Sequence, residues 1–313
     1  MIISIIIPTY NEINYIDELI NSLLKNNIKD CEILFADGGS TDGTQEVIKK
    51  YSAKYPFIKL VENEKQYVNF GFNKAFKQSV GKYVTLMGAH AKYPPDFFVN
   101  AIKYLDADEC DAVGGPLVQS GTTSKGKAIA YCLSSKFGVG NTEFRVYKDK
   151  RYVDSVAFAV YKREVFEKAG LLDEDLIKNH DDEFHYRLNK FGFRILMVPE
   201  MQCEYFVRNS FAGLFKQYYN YGLYKPLVFA KLKTGIRMRH LIPPLFSLYI
   251  LFLPLAIIFP FYLIPLTIYL VGNFYFSFIN SNSFKIKLFS FLAFPIIHFS
   301  YGLGFLFGLG KLF

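Results

Sequence analysis

Two stretches decide how this chain is read: SIIIPTYNE, residues 4–12, and EILFADGGSTDGT, residues 32–44. The first opens as an apolar, β-branched run of the kind that forms a strand buried on both faces. Pro8 ends the run and leaves Thr9, Tyr10, Asn11 and Glu12 at its C-terminal end. The second delivers Asp37 in the same way and continues into a turn rich in Gly, Ser, Thr and Asp. In an open α/β sheet, ligands gather at the C-terminal ends of strands. An Asp there can accept hydrogen bonds from a base imide or a ribose hydroxyl. Taken alone, the same turn also reads as a cap for the following helix.

Outward from these stretches, strand and helix alternate. Ile13, Ile16, Leu19, Ile20, Leu23 and Leu24 recur at helical spacing. A helix is expected from about 45 to 55, a strand at 57–61, a helix around 71–80 and a strand at 83–87. A further helix over about 96–106 leads to a strand at DAVGG. Residues 119–152 are polar, Gly-rich and weakly periodic, and read as a loop region with room for one helix around 124–136. SVAFAVYKREVFEKAG resumes as strand then helix, DDEFHYRLNKFG is a helix, and FRILMVPE is a strand. This alternation predicts an α/β domain with a mostly parallel sheet and covering helices.

The tail is different. No Asp, Glu, Lys or Arg occurs between Leu241 and Phe284, or between Leu288 and Gly310. A single membrane crossing needs about 20 apolar residues. The expected division is a first domain over 1–209, an amphipathic interfacial segment over 210–240, and a membrane domain over 241–313 with spans at 241–260, 262–280 and 288–310. Its prolines leave open a re-entrant pair instead. The net charge is +8, and Lys225, Lys231, Lys233, Arg237, Arg239, Lys285, Lys287 and Lys311 flank the apolar stretches, as basic residues do on the cytoplasmic side of a membrane. No Arg- and aromatic-rich recognition motif accompanies the charge, which argues against nucleic acid as a partner. The four cysteines are widely spaced and read as buried free thiols.

The pairing of SIIIPTYNE with EILFADGGSTDGT resembles the family 2 glycosyltransferases of GT-A fold. The resemblance continues through NKAFKQSVGKYV (73–84), YVDSVAFAVYKREVFEKAGLLDE (152–174), NHDDEFHYRL (179–188), FKQYYNYGLYK (215–225) and HFSYGLGFLFGLG (298–310). The tail and AHAKYPPDF are most similar to the membrane-attached branch that includes succinoglycan-type exopolysaccharide transferases. The resemblance implies a mixed, mostly parallel sheet with helices on both faces, followed by transmembrane helices. It implies an inverting transfer from a nucleotide sugar, most readily a UDP-sugar, to a lipid-linked or polysaccharide acceptor at the cytoplasmic membrane face.

The same resemblance assigns roles. Pro8, Thr9, Tyr10, Glu12, Asp37 and Ser40 would bind the nucleotide. Asp181 falls on the catalytic base, with Asp182 as fallback, and His180 replaces the Glu that usually precedes it. Gln217, Tyr221 and Lys225 would meet acceptor and diphosphate. The family usually holds a divalent ion with Asp-x-Asp or Asp-x-His. Here Gly88 takes the first position and His90 remains, so Mn2+ or Mg2+ is implied but its ligand set is incomplete. Three outcomes stay open: His90 holds an ion with another acid; basic groups such as Lys65, Lys92, Arg145 or Lys225 offset the leaving charge; or only donor binding survives, in a non-catalytic membrane component. A polyprenyl-phosphate glycosyltransferase is the alternative within the fold.

Overall fold

The computed structural model describes residues 2–26, 30–88, 91–233, 236–279 and 283–312. The chain forms two units, Met1–Val118 with Tyr147–Tyr205, and Gln119–Val146 with Phe206–Phe313. The polar segment that the sequence places inside the first domain thus groups with the C-terminal helices. Its own helix, Ser124–Leu133, explains why: Ala128, Ile129, Ala130, Cys132 and Leu133 are buried, an apolar face that needs a partner.

The first unit carries strands β1 (Ile3–Thr9), β2 (Cys31–Asp37), β3 (Ile58–Glu62), β4 (Tyr83–Leu86), β5 (Ala91–Lys92), β6 (Ala112–Gly114), β8 (Arg151–Tyr152), β9 (Val160–Lys162) and β10 (Ile195–Met197), while β7 (Leu117–Ser120) and β11 (Cys203–Phe206) run to its chain boundaries. Eight of them form one sheet in the order β3-β2-β1-β4-β9-β6-β10-β8. β1 is parallel to β2 and β4, β2 to β3, and β6 to β10. β9 runs antiparallel between β4 and β6. The sheet is therefore mixed and mostly parallel, as expected. Ile3, Ile5, Ile6 and Ile7 are all buried, which accounts for the unbroken apolar run of β1. That strand continues one step past Pro8, and its register sets Thr9 opposite Asp37.

At the opposite end of the same strands a buried carboxylate locks the sheet. Glu32 is fully buried. It accepts from the Ser4 hydroxyl at 2.8 Å, the Val80 amide at 2.6 Å and the Lys59 ammonium at 2.9 Å. The Ser4 hydroxyl in turn accepts from the Gly81 amide at 2.8 Å. Burial alone would raise the Glu32 pKa, but these donors outweigh it and hold the carboxyl below its ordinary value.

In the second unit, helix Phe211–Leu232 is capped by Ser210, whose hydroxyl accepts from the Gly213 amide at 3.1 Å. It packs on helix Phe284–Leu309 with almost no side chain between them. A Cβ on Gly222 would lie 2.0 Å from the Tyr301 carbonyl oxygen, and one on Gly304 would lie 2.0 Å from that of Tyr219. Small residues permit such backbone contact between apolar helices. Pro260–Phe278 and Phe284–Leu309 are long and apolar enough to cross a membrane, at 19 and 26 residues. They fall on the second and third expected spans. The stretch expected as the first, 241–260, is helix Met238–Leu251 followed by the 3-10 turn Leu253–Ile257. Cys110, Cys132 and Cys203 are buried and Cys31 is half-buried, all four as free thiols. Burial pushes the Cys110 thiol up to about 12.

The Glu32 network yields a prediction. A depressed carboxylate contributes stability above its unfolded pKa and loses it as pH falls through the folded one. Glu32→Gln should lower unfolding stability by about 1–3 kcal/mol at neutral pH, the range for a hydrogen-bonded buried charge. Denaturant titrations of both proteins should begin to converge as pH falls below about 4, near the reference value for Glu, and meet only below the depressed folded value.

Candidate active site

Two loops at the C-terminal ends of β1 and β2 form one clasp. The Asn11 amide donates to Ser40 Oγ at 2.8 Å, and the Thr41 amide to Asn11 Oδ1 at 2.9 Å. The Glu12 amide donates to Thr44 Oγ1 at 2.9 Å, and the Ile13 amide to Asp42 Oδ2 at 3.1 Å. Side-chain oxygens of Ser40, Asp42 and Thr44 thus accept from, and fix, the backbone amides at 11–13.

Asp37 holds the clasp together. It is 2% exposed. Its Oδ2 accepts from the Gly39 and Ser40 amides, both at 2.9 Å, and from Gln45 Nε2 at 2.6 Å. Its Oδ1 accepts from Ser40 Oγ at 2.5 Å and Thr9 Oγ1 at 3.4 Å. Five donors fill a carboxylate that offers about four lone-pair sites. Pro8 is half-buried and Tyr10 is exposed beside this cluster in sequence. Gln45 was not singled out from the sequence; its place in the first turn of helix Thr44–Lys54, eight residues after Asp37, was the available signal. The β3 end joins the same group: the Asn63 amide donates to the Asp37 carbonyl at 2.8 Å, and Asn63 Nδ2 to the Tyr67 carbonyl at 3.0 Å. Lys65, in that third loop, is exposed, with its ammonium 5.4 Å from the Phe70 ring centre.

The three acids of NHDDEF separate on helix His180–Lys190. Glu183 is buried and pairs bidentately with Arg187, at 2.8 and 2.7 Å. Arg187 also donates to the Ala169 and Leu171 carbonyls at 2.5 and 2.8 Å. Asp182 is half-buried, and Asp181 is exposed. Two histidines lie close to Asp181. Burial pushes the pKa of His180 down, and Asp181 opposes that. His180 Nδ1 is buried without a hydrogen-bond partner among the described residues. His185 is buried, 3.0 Å from the Tyr161 hydroxyl, and its pKa is lowered by the same burial. Both rings are therefore held toward their neutral form beside Asp181.

A strut that the sequence did not reveal supports this helix. Helix Val68–Gln78 begins three residues earlier than its periodicity suggested and buries Asn69 and Asn73. Asn69 Nδ2 donates to the Asp173 and Leu176 carbonyls at 2.8 and 3.1 Å. Asn73 Nδ2 donates to the Leu172 carbonyl at 2.8 Å, and its Oδ1 accepts from the Leu172 amide at 3.1 Å. The loop before Asp181 is thus tied to the helix that follows the Asn63 loop.

The metal implied by the resemblance is judged by the surroundings of Gly88. Its amide donates to the Tyr93 hydroxyl and its carbonyl accepts from it, both at 3.1 Å. A Cβ on Gly88 would lie 3.2 Å from the Phe158 ring. Tyr93 packs edge-on against both Phe97 and Phe158 at 5.4 Å. The Phe158 ring edge thus crowds the position where a side chain at residue 88 would start. His90 lies outside the described residues. Among the described residues no three His, Cys, Asp or Glu side chains cluster to hold an ion. Of the expected pair, Gly88 supplies no side-chain ligand.

In the second unit, Gln217 Nε2 donates to the Tyr221 hydroxyl at 3.0 Å. Tyr221 meets Tyr218 edge-on at 5.5 Å, and Arg145 Nη1 donates to the Tyr218 hydroxyl at 3.1 Å. Lys225 is buried on the same helix, 5.8 Å from the Phe229 ring centre. Arg145, offered by the sequence only as a source of charge, is thus a neighbour of the Gln217 segment.

The family model for Glycosyl transferase family 2 matches residues 4–170. Succinoglycan biosynthesis protein ExoA of Rhizobium meliloti (strain 1021) is 29% identical over 242 residues, 76% of this chain and 73% of that protein. A dolichyl N-acetyl-alpha-D-glucosaminyl phosphate 3-beta-D-2,3-diacetamido-2,3-dideoxy-beta-D-glucuronosyltransferase of Methanococcus voltae is 32% identical over 238 residues, 73% and 74% of the two chains. In fold, the chain is similar to the mannosyltransferase PcManGT from Pyrobaculum calidifontis, solved with GDP-Man and Mn2+. The TM-score is 0.62 at 17% identity, covering 99% of this chain and 87% of that one. S. aureus TarS 1–349 with UDP-GlcNAc gives a TM-score of 0.54 at 16% identity, over 96% and 91%.

The packing at Gly88 predicts that Gly88→Asp alone lowers thermal stability, because the new side chain meets the Phe158 ring. Adding Phe158→Ala should remove that clash, so the double variant should lose less stability than the two single losses sum to. A double-mutant cycle of unfolding free energies measures the difference.

Proposed function

The chain belongs to the family 2 glycosyltransferases, and from that premise we propose an inverting transfer of sugar from a nucleotide sugar to a lipid-linked acceptor at the cytoplasmic face of a membrane. The observation that carries this reading is the division of the acids at 181–183: Glu183 is committed to Arg187, while Asp181 stands exposed at the head of its helix. The Asp37 clasp would seat the nucleotide, with Thr9, Tyr10 and Ser40 around it. A UDP-sugar is the donor we favour, since an Asp at the β2 end suits a base imide.

In the reaction, Asp181 takes the proton of the acceptor hydroxyl as that oxygen bonds to the anomeric carbon. The bond from that carbon to the diphosphate oxygen breaks, and a nucleoside diphosphate leaves. The exposure of Asp181, with His180 and His185 held toward their neutral forms beside it, supports this assignment. The departing charge needs a cationic partner. Lys65 suits this task, because it is exposed in the Asn63 loop that bonds Asp37. Lys92 is less suited, being 3.6 Å from Glu18 in an ion pair. Gln217, Tyr221 and Lys225 would serve the acceptor end. The Methanococcus voltae relative, whose name describes a dolichyl phosphate-linked acceptor, supports an acceptor already carrying a sugar over polyprenyl phosphate alone.

The test is nucleoside diphosphate release by the purified protein, with a panel of nucleotide sugars and lipid-linked glycans, in Mn2+, in Mg2+ and in EDTA. Asp181→Asn should cut turnover by at least about a hundredfold, the lower range for a general base, with unfolding stability unchanged. Glu183→Gln should do the reverse, costing stability first. Full turnover in Asp181→Asn would remove Asp181 from the base position. Lys65→Ala should lower turnover in EDTA more than donor affinity; an unchanged rate would rule Lys65 out.

A further inference from the structure

We propose that the second unit sits in one face of the bilayer without crossing it. Helix Phe284–Leu309 lies along the interface, and the hairpin 238–278 dips into the hydrocarbon and returns to the same side. The inference rests on the membrane reading above and deepens it.

The first observation is what covers the middle of the long helix. Phe294 and Ile297, near its midpoint, are buried. The Phe137 ring lies 4.9 Å from Phe294 and 5.2 Å from His298, and the Phe137 carbonyl is 2.8 Å from His298 Nε2. Tyr131 meets Phe294 edge-on at 6.1 Å, and Cys132 Sγ lies 3.7 Å from the Ser290 carbonyl. These partners belong to a polar segment in which Ser134 and Lys136, flanking Phe137 in sequence, are exposed. Were the helix to cross, its midpoint would lie at the bilayer centre and draw Lys136 toward hydrocarbon, where a charge is costly. Along the interface, Lys136 stays in water.

Charge at the helix ends agrees. Lys285 and Lys287 stand at its start, and Lys311 follows its end, 5.4 Å from the Tyr224 ring centre. A helix with both ends on the basic side of the membrane meets the positive-inside tendency twice; a crossing helix meets it once.

The hairpin is built to end inside lipid. Its arms are joined by the Phe246 and Tyr269 rings at 4.3 Å, and by the Tyr249 hydroxyl donating to the Tyr262 carbonyl at 2.7 Å. Beyond them the apex 252–263 holds no charged residue, and Ile257, Ile258 and Phe261 are 87%, 69% and 67% exposed. Water would not favour such an apex. Hydrocarbon tolerates it only if backbone groups are satisfied internally. Here Pro254 and Pro260 carry no amide hydrogen, and the Leu255, Ile258, Phe259 and Tyr262 amides donate to carbonyls at 252, 255, 255 and 259. Arg237 and Arg239 precede the hairpin and Lys285 and Lys287 follow it, so both roots are basic.

The test labels single cysteines with a membrane-impermeant maleimide, using the full-length protein in sealed vesicles of each orientation and the wild type as blank. Lys285→Cys and Lys311→Cys should label from the same side. Ile257→Cys should label from neither side, and only after detergent. Protease removal of a C-terminal epitope from the same vesicles checks the Lys311 result without a substitution. Labelling of Lys311→Cys from the side opposite Lys285→Cys, or of Ile257→Cys from the far side, overturns the inference while the membrane reading stands. Release of the wild type by alkaline carbonate overturns both.

Discussion

Everything at the upper end of the first unit depends on the Asp37 carboxylate. The register that sets it beside Thr9 comes from the parallel pairing of β1 and β2, and that pairing is fixed by buried isoleucines with nothing polar to offer. The carboxylate collects five donors, three of them from Gly39 and Ser40 in the turn after β2, and the turn after β1 is hung from that turn through Ser40. A ligand that needs Asp37 must therefore compete with Gln45 or Ser40 for its oxygens. Glu32 does the corresponding work at the lower end, so the first two strands are held at both ends by buried acids that face away from solvent.

The acid cluster at 181–183 shows how neighbouring carboxylates acquire different tasks. Successive residues in the first turn of a helix point about 100° apart. One direction meets Arg187 and the carbonyls of residues 169 and 171; another meets water. Burial and pairing settle Glu183 as a structural group, and exposure leaves Asp181 available. Burial favours the neutral forms of the two imidazoles beside it, His180 and His185.

Much of this was legible in the sequence, for identifiable reasons. The strands from β1 to β4 and their crossover helices follow from apolar runs bounded by turn residues, and the tail follows from its missing charges. Asp37 and Asp181 stand at element ends, where chemistry is expected. The roles of Asn69, Asn73 and Gln45 were not legible, because a buried amide is recognised only when the carbonyl or carboxylate it serves is known, and those lie up to about a hundred residues away. Gly88 announced a missing carboxylate. That the ring of Phe158, seventy residues later, lies against that position could not be read from either residue alone. The segment 119–146 read as a loop because its apolar face belongs to another part of the chain.

Helices Phe211–Leu232 and Phe284–Leu309 touch backbone to backbone at Gly222 and Gly304, where even a methyl group would collide with a carbonyl oxygen. Contacts of that kind permit neither sliding nor rotation, so the pair tilts as one body. Gln217 and Tyr221 ride on one member of the pair. A side chain larger than hydrogen at either glycine would therefore act at a distance, forcing the helices apart and shifting those two residues without touching them.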